Sequence, residues 1–591
     1  MTMQRYGQKL ILLCIFVLAG LAFFTGIDWG LPSCEPDKFL FGSHVPWSGE
    51  QIMRLAGPWD QSAGRGADIA MHPLPDRDKP VELNDTDARR AEIVRRYRLY
   101  SCQPDEMITF RSLSGMKPGR LQLDPKMYQY GGLWIYPVGG LLKLASLFHL
   151  VTLQTDLAFY LDHPEAFSRF YIVARAYSAL WGLLGVAVVY RLGREWTGQF
   201  LVGATAAGLF ASMPVVIDLA HEAKPHLAGT VLILLTIYAA MRYVRTGILR
   251  WWMIAGAAAG ASMGMVLTGY VAFAVLPAMA LLRQTSWKDR AKITLGSGLV
   301  GIAIFTLTNP YLPLNVLFHR ELLHSNVGNY GTFYQPRLSV SALTITGRSI
   351  VEGMSLAPAV VGMLALVVLS VVGGKFIRDT GRRPVSQFGF GLLLVAPAAV
   401  VLVQMILLAQ EKTAEYARFG LFTDTAIALT AAALIGSLGL KAGEKRMLAL
   451  LLVGGTLFYG VRYDINFVLD SGADSTRRTA AESIDTCSQR ENELAVWAEP
   501  APYCLPPVDL FTWRIVLLPA GSDLSGISPG AIAVRPVDYP TTLPIGIRRF
   551  TPQIEYPRPF SPISWANKPF EILFASRPPA SGPVSEPAHR P

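Results

Sequence analysis

Asp105 and Glu106 stand side by side in the polar string Gln103-Pro104-Asp105-Glu106, ahead of MITFRSLSGMKPGRLQLDPKMYQYGGLWIYPVGG over 107–140. Two carboxylates just outside a lipid surface offer a general base, one taking a proton while its neighbour holds a hydroxyl. The same Pro-Asp-Glu string also suits the first turn of a helix. Upstream, Ser33-Cys34-Glu35-Pro36-Asp37-Lys38 is a near copy of Ser101-Cys102-Gln103-Pro104-Asp105-Glu106. Asp37 is therefore a second candidate acid.

A second constellation is His221-Glu222-Ala223-Lys224-Pro225-His226. It sets two imidazoles, a carboxylate and an ammonium between two apolar runs. Lys224 is a candidate contact for a phosphate. His221, Glu222 and His226 could be read as metal ligands, but their spacing is not that of a helical His-Glu-x-x-His site, and no metal is expected. The plainer reading is a polar turn meeting headgroups. A third set is cationic. Arg418 stands first, just before an apolar run, followed by Arg175, His319, Arg320 and His324. Such groups at a span edge either bind anions or snorkel. Asp424, inside an apolar run, is expected to pair with a neighbouring cation. No nucleotide-binding glycine loop occurs, so ATP-driven transport has no support.

The elements that position these residues are membrane helices. The 591 residues are 51% hydrophobic and 16% charged, and the mean hydropathy is +0.34. Soluble domains carry about a quarter charged residues. A spanning helix needs about 20 mostly apolar residues. Eleven segments qualify: 9–27, 169–190, 198–219, 227–246, 251–268, 269–284, 293–313, 355–375, 387–409, 419–440 and 446–463. The pair over 251–284 also reads as one long kinked helix, given Gly264 and Gly269. The first segment is expected to be a retained helix and not a cleaved signal.

Alternate short gaps are basic: Arg191 and Arg194; Arg242, Arg245 and Arg250; Arg283, Lys288, Arg290 and Lys292; Lys375, Arg378, Arg382 and Arg383; Lys441, Lys445 and Arg446. Cytoplasmic loops carry such an excess. The +10 net charge therefore reports topology, and no nucleic acid is expected as a partner. The N-terminus falls inside the cytoplasmic membrane and the C-terminus outside, in a periplasmic or extracellular space. The apolar stretch 132–150 is expected to lie in the interface, because a span there would invert every later gap. Cys34, Cys102, Cys487 and Cys504 then face outward, with Cys34–Cys102 and Cys487–Cys504 as the natural disulfides or four free thiols as the alternative.

The expected fold is an all-α polytopic membrane protein of about 11 transmembrane helices. It has a large first outer loop and a small C-terminal β or α/β domain. The expected divisions are 1–465 for the membrane domain, with outer loop 28–168; 466–555 for the outward-facing soluble domain; and 556–591 for a Pro-rich disordered tail. Residues 40–100 form an insertion without an assigned role.

Across about residues 10–490 the order of motifs resembles the GT-C glycosyltransferase superfamily, in particular its protein O-mannosyltransferase-like and lipid A aminoarabinose transferase-like members. Segment 103–140 resembles the first outer loop of that superfamily, with its Asp-Glu pair. Tyr130–Pro137 looks like the YGG-x-x-x-YP stretch of bacterial members, and 174–196 like their Arg-x-x-Ser-Ala segment. Asn309-Pro310-Tyr311 and Tyr416-Ala417-Arg418-Phe419 also resemble family positions. The resemblance implies Asp105 as the base, with Glu106 beside it. It implies Glu222 as the acidic residue of the 221–226 loop, and inversion at the sugar carbon. The acidic pair of many members follows the first span closely, which keeps Asp37 in view. Many members also carry a lysine near the fifth and sixth spans. Gly264–Tyr270 has none, so phosphate contact falls to other residues. The function implied is sugar transfer from a polyprenyl-phosphate donor to an acceptor on the outer face, with no cofactor beyond the lipid-linked donor. Protein, lipid and glycan acceptors all remain open, and membrane lipids are further partners. The alternative is a non-catalytic polyprenyl-lipid binder or transporter of the same architecture.

Overall fold

The computed structural model describes residues 2–57, 80–283, 285–321, 323, 339–379, 387–408, 413–472, 475–486, 493–497, 501–518, 531–536, 547–551, 553, 555–556 and 563–574. Each of the eleven expected segments is helical, though not every one is long enough to cross a bilayer. Among the described residues seven helices pass on length and apolarity: Arg5–Phe24, Pro164–Thr197, His226–Thr246, Trp287–Thr308, Phe390–Leu408, Ala417–Ser437 and Ala442–Asp470. Two bent pairs bring the number to nine. Phe200–Ser212 and Pro214–Ala220 meet at 60°, because the residue before a proline is pushed out of helical backbone and Met213 is extended at φ −65°, ψ 129°. Val340–Met354 and Leu356–Val368 meet at 118° across Ser355, whose φ is +75°.

The pair over 251–284 is less regular than two full-length helices. Leu249–Met265 has 17 residues, and its successor begins as a 3-10 helix, Leu267–Ala274, before Val275–Leu282 turns α-helical. The cause is local. Val266 is extended at φ −153°, ψ 139° and bridges to Tyr130. Gly269 closes directly onto the backbone of Ser262, where a Cβ would collide. The stretch over 132–150 is a single helix, Gly132–Leu147, of 16 residues, too short to cross.

Three of the basic gaps meet at one end of the bundle. There Arg242 and Arg245 reach Glu195 at 3.2 and 2.7 Å, and Arg283 donates to the Val244 carbonyl at 3.0 Å. The first loop and the C-terminal region share the other end and fold together.

A six-stranded sheet joins them, in the order β1-β3-β2-β4-β6-β5. The strands are β1 (Val81–Glu82), β2 (Glu493–Trp497), β3 (Arg514–Leu518), β4 (Ile532–Pro536), β5 (Ile547–Phe550) and β6 (Phe570–Phe574). The central β3, β2 and β4 run parallel. Parallel strands are covered on both faces and read as continuous apolar runs, as Ile515–Leu518 does, buried throughout. β1 comes from the first loop, so the 40–100 insertion supplies one edge of the sheet. β6 corrects the expected limit at 555. Phe570 to Leu573 are all buried and pair with β4 and β5, and the surrounding prolines had hidden this short run. Residues 575–591 lie outside the described residues, as does Cys487. Cys34 and Cys102 are free thiols, which corrects their expected bridge. Cys102 packs instead on Gly30, its N–H donating to the Gly30 carbonyl at 2.7 Å.

Candidate active site

Asp105 sits on the turn that ends Ser101-Cys102-Gln103-Pro104, just before the helix Met107–Ser114. Its backbone N–H donates to Gln103 Oε1 at 2.6 Å, which fixes the turn. Its Oδ2 pairs with Arg418 Nη1 and lies 3.4 Å from Lys224 Nζ. Burial works to raise this carboxyl. The Arg418 guanidinium and the Lys224 ammonium outweigh it and hold the group well below the usual carboxylate range.

Lys224 is itself buried and stands 3.3 Å from Glu222 Oε2. Glu222 Oε1 accepts from Gln103 Nε2 at 3.0 Å. Burial lifts the Glu222 carboxyl above its usual value, with Lys224 opposing. Residues 313 positions apart thus meet. The bent Phe200–Ala220 pair makes this possible by delivering the 221–225 turn to the same end as the first loop.

Glu106 and Arg175 were expected to face substrate, and the structure buries both side chains completely against each other. Arg175 grips Glu106 with Nε to Oε1 at 2.8 Å and Nη2 to Oε2 at 2.7 Å. Ser101 Oγ and the Ala223 N–H complete four donors to that carboxylate. Arg175 also donates to the Ile27 and Trp29 carbonyls and lies over the Trp29 ring at 4.8 Å. Both side chains are fully buried. A charge cannot be left unpaired at that depth, so the pair is a strut that ties the first loop, the Pro164–Thr197 helix and the 221–225 turn together.

His221 also faces inward. Its ring stacks on Phe467 at 4.0 Å, and its nitrogens lie 2.8 Å from the Ile217 and Thr25 carbonyls. Burial pushes its imidazole down to about 4. Tyr130 joins the site from below, its hydroxyl donating to the Asp105 carbonyl at 3.3 Å. Asp37 does not join. It pairs with Arg98 at 2.8 Å, and no described contact links it to Asp105. His319 lies 3.9 Å from Glu321 and Arg320 donates to the Val316 carbonyl at 3.0 Å, away from Asp105, and His324 lies outside the described residues. Asp424 finds no cation among the described residues. Neither of its oxygens has a hydrogen-bond partner among the described residues, and Oδ2 occupies the space left by the absent side chain of Gly353. Among the described residues no group of three or more His, Cys, Asp or Glu is placed to hold a metal.

Beside Asp105 a small groove opens between the helices. Its polar end carries Arg418, His226, Thr230 and Gln404; its depth carries Ile233, Val271, Val401, Phe419 and Phe422. His226 stands edge-on to Tyr130 and Phe419 at 6.1 and 5.9 Å, and its buried Nδ1 has no hydrogen-bond partner among the described residues. One end therefore suits an anion and the other an alkyl chain. Gln103, Ser101, Thr230 and Gln404 had not been singled out from the sequence. Gln103 sat in the quoted string, but nothing in its spacing marked it as the link between two carboxylate-bearing loops.

Residues 167–309 match the model of the dolichyl-phosphate-mannose-protein mannosyltransferase family. This stretch contains Arg175 and the whole 221–226 turn, and it supports the resemblance read from the sequence. No curated protein sequence matches the chain. Solved structures that are similar include the archaeal oligosaccharyltransferase AglB from Archaeoglobus fulgidus in complex with an inhibitory peptide and a dolichol-phosphate. That match has 10% identity, 90% of this chain and 70% of that one covered, and a TM-score of 0.39. ArnT from Cupriavidus metallidurans matches at 13% identity over 79% of this chain and 96% of that one. Its TM-score is 0.34 bound to undecaprenyl phosphate and 0.39 in the apo state.

Proposed function

We propose that the chain is a membrane glycosyltransferase that moves a sugar from a polyprenyl monophosphate to an acceptor hydroxyl on the outer face of a cytoplasmic membrane. The observation that carries this reading is the placement of Asp105, between Arg418 and Lys224, at the mouth of a groove with a cationic rim and an apolar floor. The family match over 167–309 supports the reaction class.

In this reading the isoprenoid tail lies along Ile233, Val401 and Phe422, and the phosphate meets Arg418 and His226. The acceptor oxygen attacks the anomeric carbon from the face opposite the phosphate. Its proton passes to Asp105, the bond from carbon to phosphate oxygen breaks, and the electron pair leaves with the phosphate. Arg418, with Lys224 behind it, meets the charge that develops there. The same two cations tune the base. While they face Asp105 alone its proton affinity is low; a phosphate that draws them away raises it just as the acceptor arrives. Inversion follows from a single displacement.

Asp105→Asn in protein reconstituted with a labelled polyprenyl-phosphate sugar tests the assignment. Transfer should fall by about 100-fold or more while undecaprenyl phosphate binds at least as tightly as it does to wild type, because Arg418 and Lys224 no longer face the competing Asp105 carboxylate. Undiminished transfer removes Asp105 as the base.

A further inference from the structure

One wall of the groove is built unlike the others. It is the 3-10 helix Leu267–Ala274, which supplies Thr268, Gly269 and Val271 to the lining. Eight residues is long for a 3-10 helix, whose hydrogen bonds are poorly aligned, and such stretches often mark hinges. Opposite stands the helix Gln387–Leu408, which supplies Val401 and Gln404. A hydrogen bond joins the two walls, Tyr270 Oη donating to Gln404 Oε1 at 3.1 Å. Tyr270 is 44% exposed on the outside of the bundle. Gln404 follows the apolar run Gly389–Val403, where an amide in contact with lipid is costly unless it is hydrogen-bonded.

We propose that Tyr270 and Gln404 form a latch across the lateral mouth of the groove, one that opens to admit the tail of the lipid carrier from the bilayer. The proposal rests on the glycosyltransferase reading and adds the route by which its donor arrives. A carrier with a long isoprenoid tail cannot leave the bilayer to bind, so it reaches the groove sideways, between two helices. The 3-10 wall is the side able to move. It is followed by Val275–Leu282 and preceded by the extended Val266, and it makes no α-helical hydrogen-bond ladder of its own. Movement there also reaches the base. Val266 bridges to Tyr130, the Gly131 N–H donates to the Met265 carbonyl at 3.0 Å, and Tyr130 bonds the Asp105 carbonyl. An open latch therefore loosens Asp105, and a closed one fixes it.

The test measures association of fluorescent undecaprenyl phosphate with full-length protein in phosphatidylethanolamine–phosphatidylglycerol nanodiscs. Tyr270→Phe and Gln404→Leu each remove the latch bond. Association should quicken by about three- to tenfold, the range a single net hydrogen bond represents. In Tyr270→Cys/Gln404→Cys, joined by a bis-methanethiosulfonate reagent, association should slow by at least tenfold and recover on adding reductant. The single-cysteine variants, which also lack the latch bond, should associate as fast as Tyr270→Phe, and the reagent should not change that rate. Cross-linked protein that binds at the wild-type rate overturns the latch, as does a Tyr270→Phe variant that binds no faster. Wild-type protein that fails to bind the carrier overturns the glycosyltransferase reading, and the latch with it.

Discussion

His221 shows how a residue that reads as chemistry can be structure. Its imidazole is stacked and fully enclosed, and burial pushes it down from 6.5 to about 4. The folded state therefore prefers the neutral ring, while the unfolded chain takes up a proton below its ordinary value. The stabilisation is complete above pH 6.5 and is lost as pH falls from 6.5 toward 4. Between pH 7 and 5 the loss is about 2 kcal/mol. The thermal midpoint in detergent should fall over that interval, and His221→Gln should flatten the slope. An unchanged slope in the variant contradicts the assignment. The residues that meet were legible in the sequence as candidates: Asp105, Lys224, Glu222 and Arg418 were each singled out, and the structure brings them into contact. The division of labour was not. Asp105 and Glu106 are neighbours with the same chemistry, and only the position of Arg175, 69 residues on, decides which one is sealed. Asp37 has the same local string as Asp105 but meets Arg98 instead of Arg418.

At the scale of elements, the length of apolar runs placed the long apolar helices, because backbone buried in lipid must bond to itself, but it missed Val340–Met354, the first arm of the second bent pair. It could not show where a helix bends or winds differently. The 3-10 stretch depends on Gly269 meeting Ser262, and the approach of the first loop depends on Gly131. A Cβ on Gly131 would collide with the Gly264 carbonyl, and one on Gly132 with the Thr308 carbonyl. Those contacts seat Tyr130 under Asp105. Gly131→Ala must push the loop away, a strain of about 1–3 kcal/mol. We expect transfer to drop at least tenfold with the protein still inserted and monodisperse. Wild-type turnover in this variant contradicts the claim that the Gly131–Gly264 contact positions the base.

The whole molecule joins two regions that the sequence suggests are separate. The first loop carries Asp105, yet it is held by the C-terminal domain. Asn84 Nδ2 donates to the Leu510 and Trp513 carbonyls at 2.8 and 2.6 Å, and Tyr97 Oη to the Leu505 carbonyl at 2.6 Å. β1 completes the sheet edge on β3. No periodic signal in the sequence announces contacts across more than 400 residues, so the loop read as an insertion without a role. A chain ending at Asp470 should keep its membrane helices and its groove but lose transfer, with cleavage by added protease appearing within 87–114. Full activity without the C-terminal domain contradicts this mutual dependence. The account as a whole is tested most directly by a cryo-electron microscopy structure with undecaprenyl phosphate bound. It predicts the phosphate at the groove mouth, within about 3 Å of the Arg418 guanidinium, with the tail between Leu267–Ala274 and Gln387–Leu408. A phosphate elsewhere, with Arg418 still closed on Asp105, would contradict it.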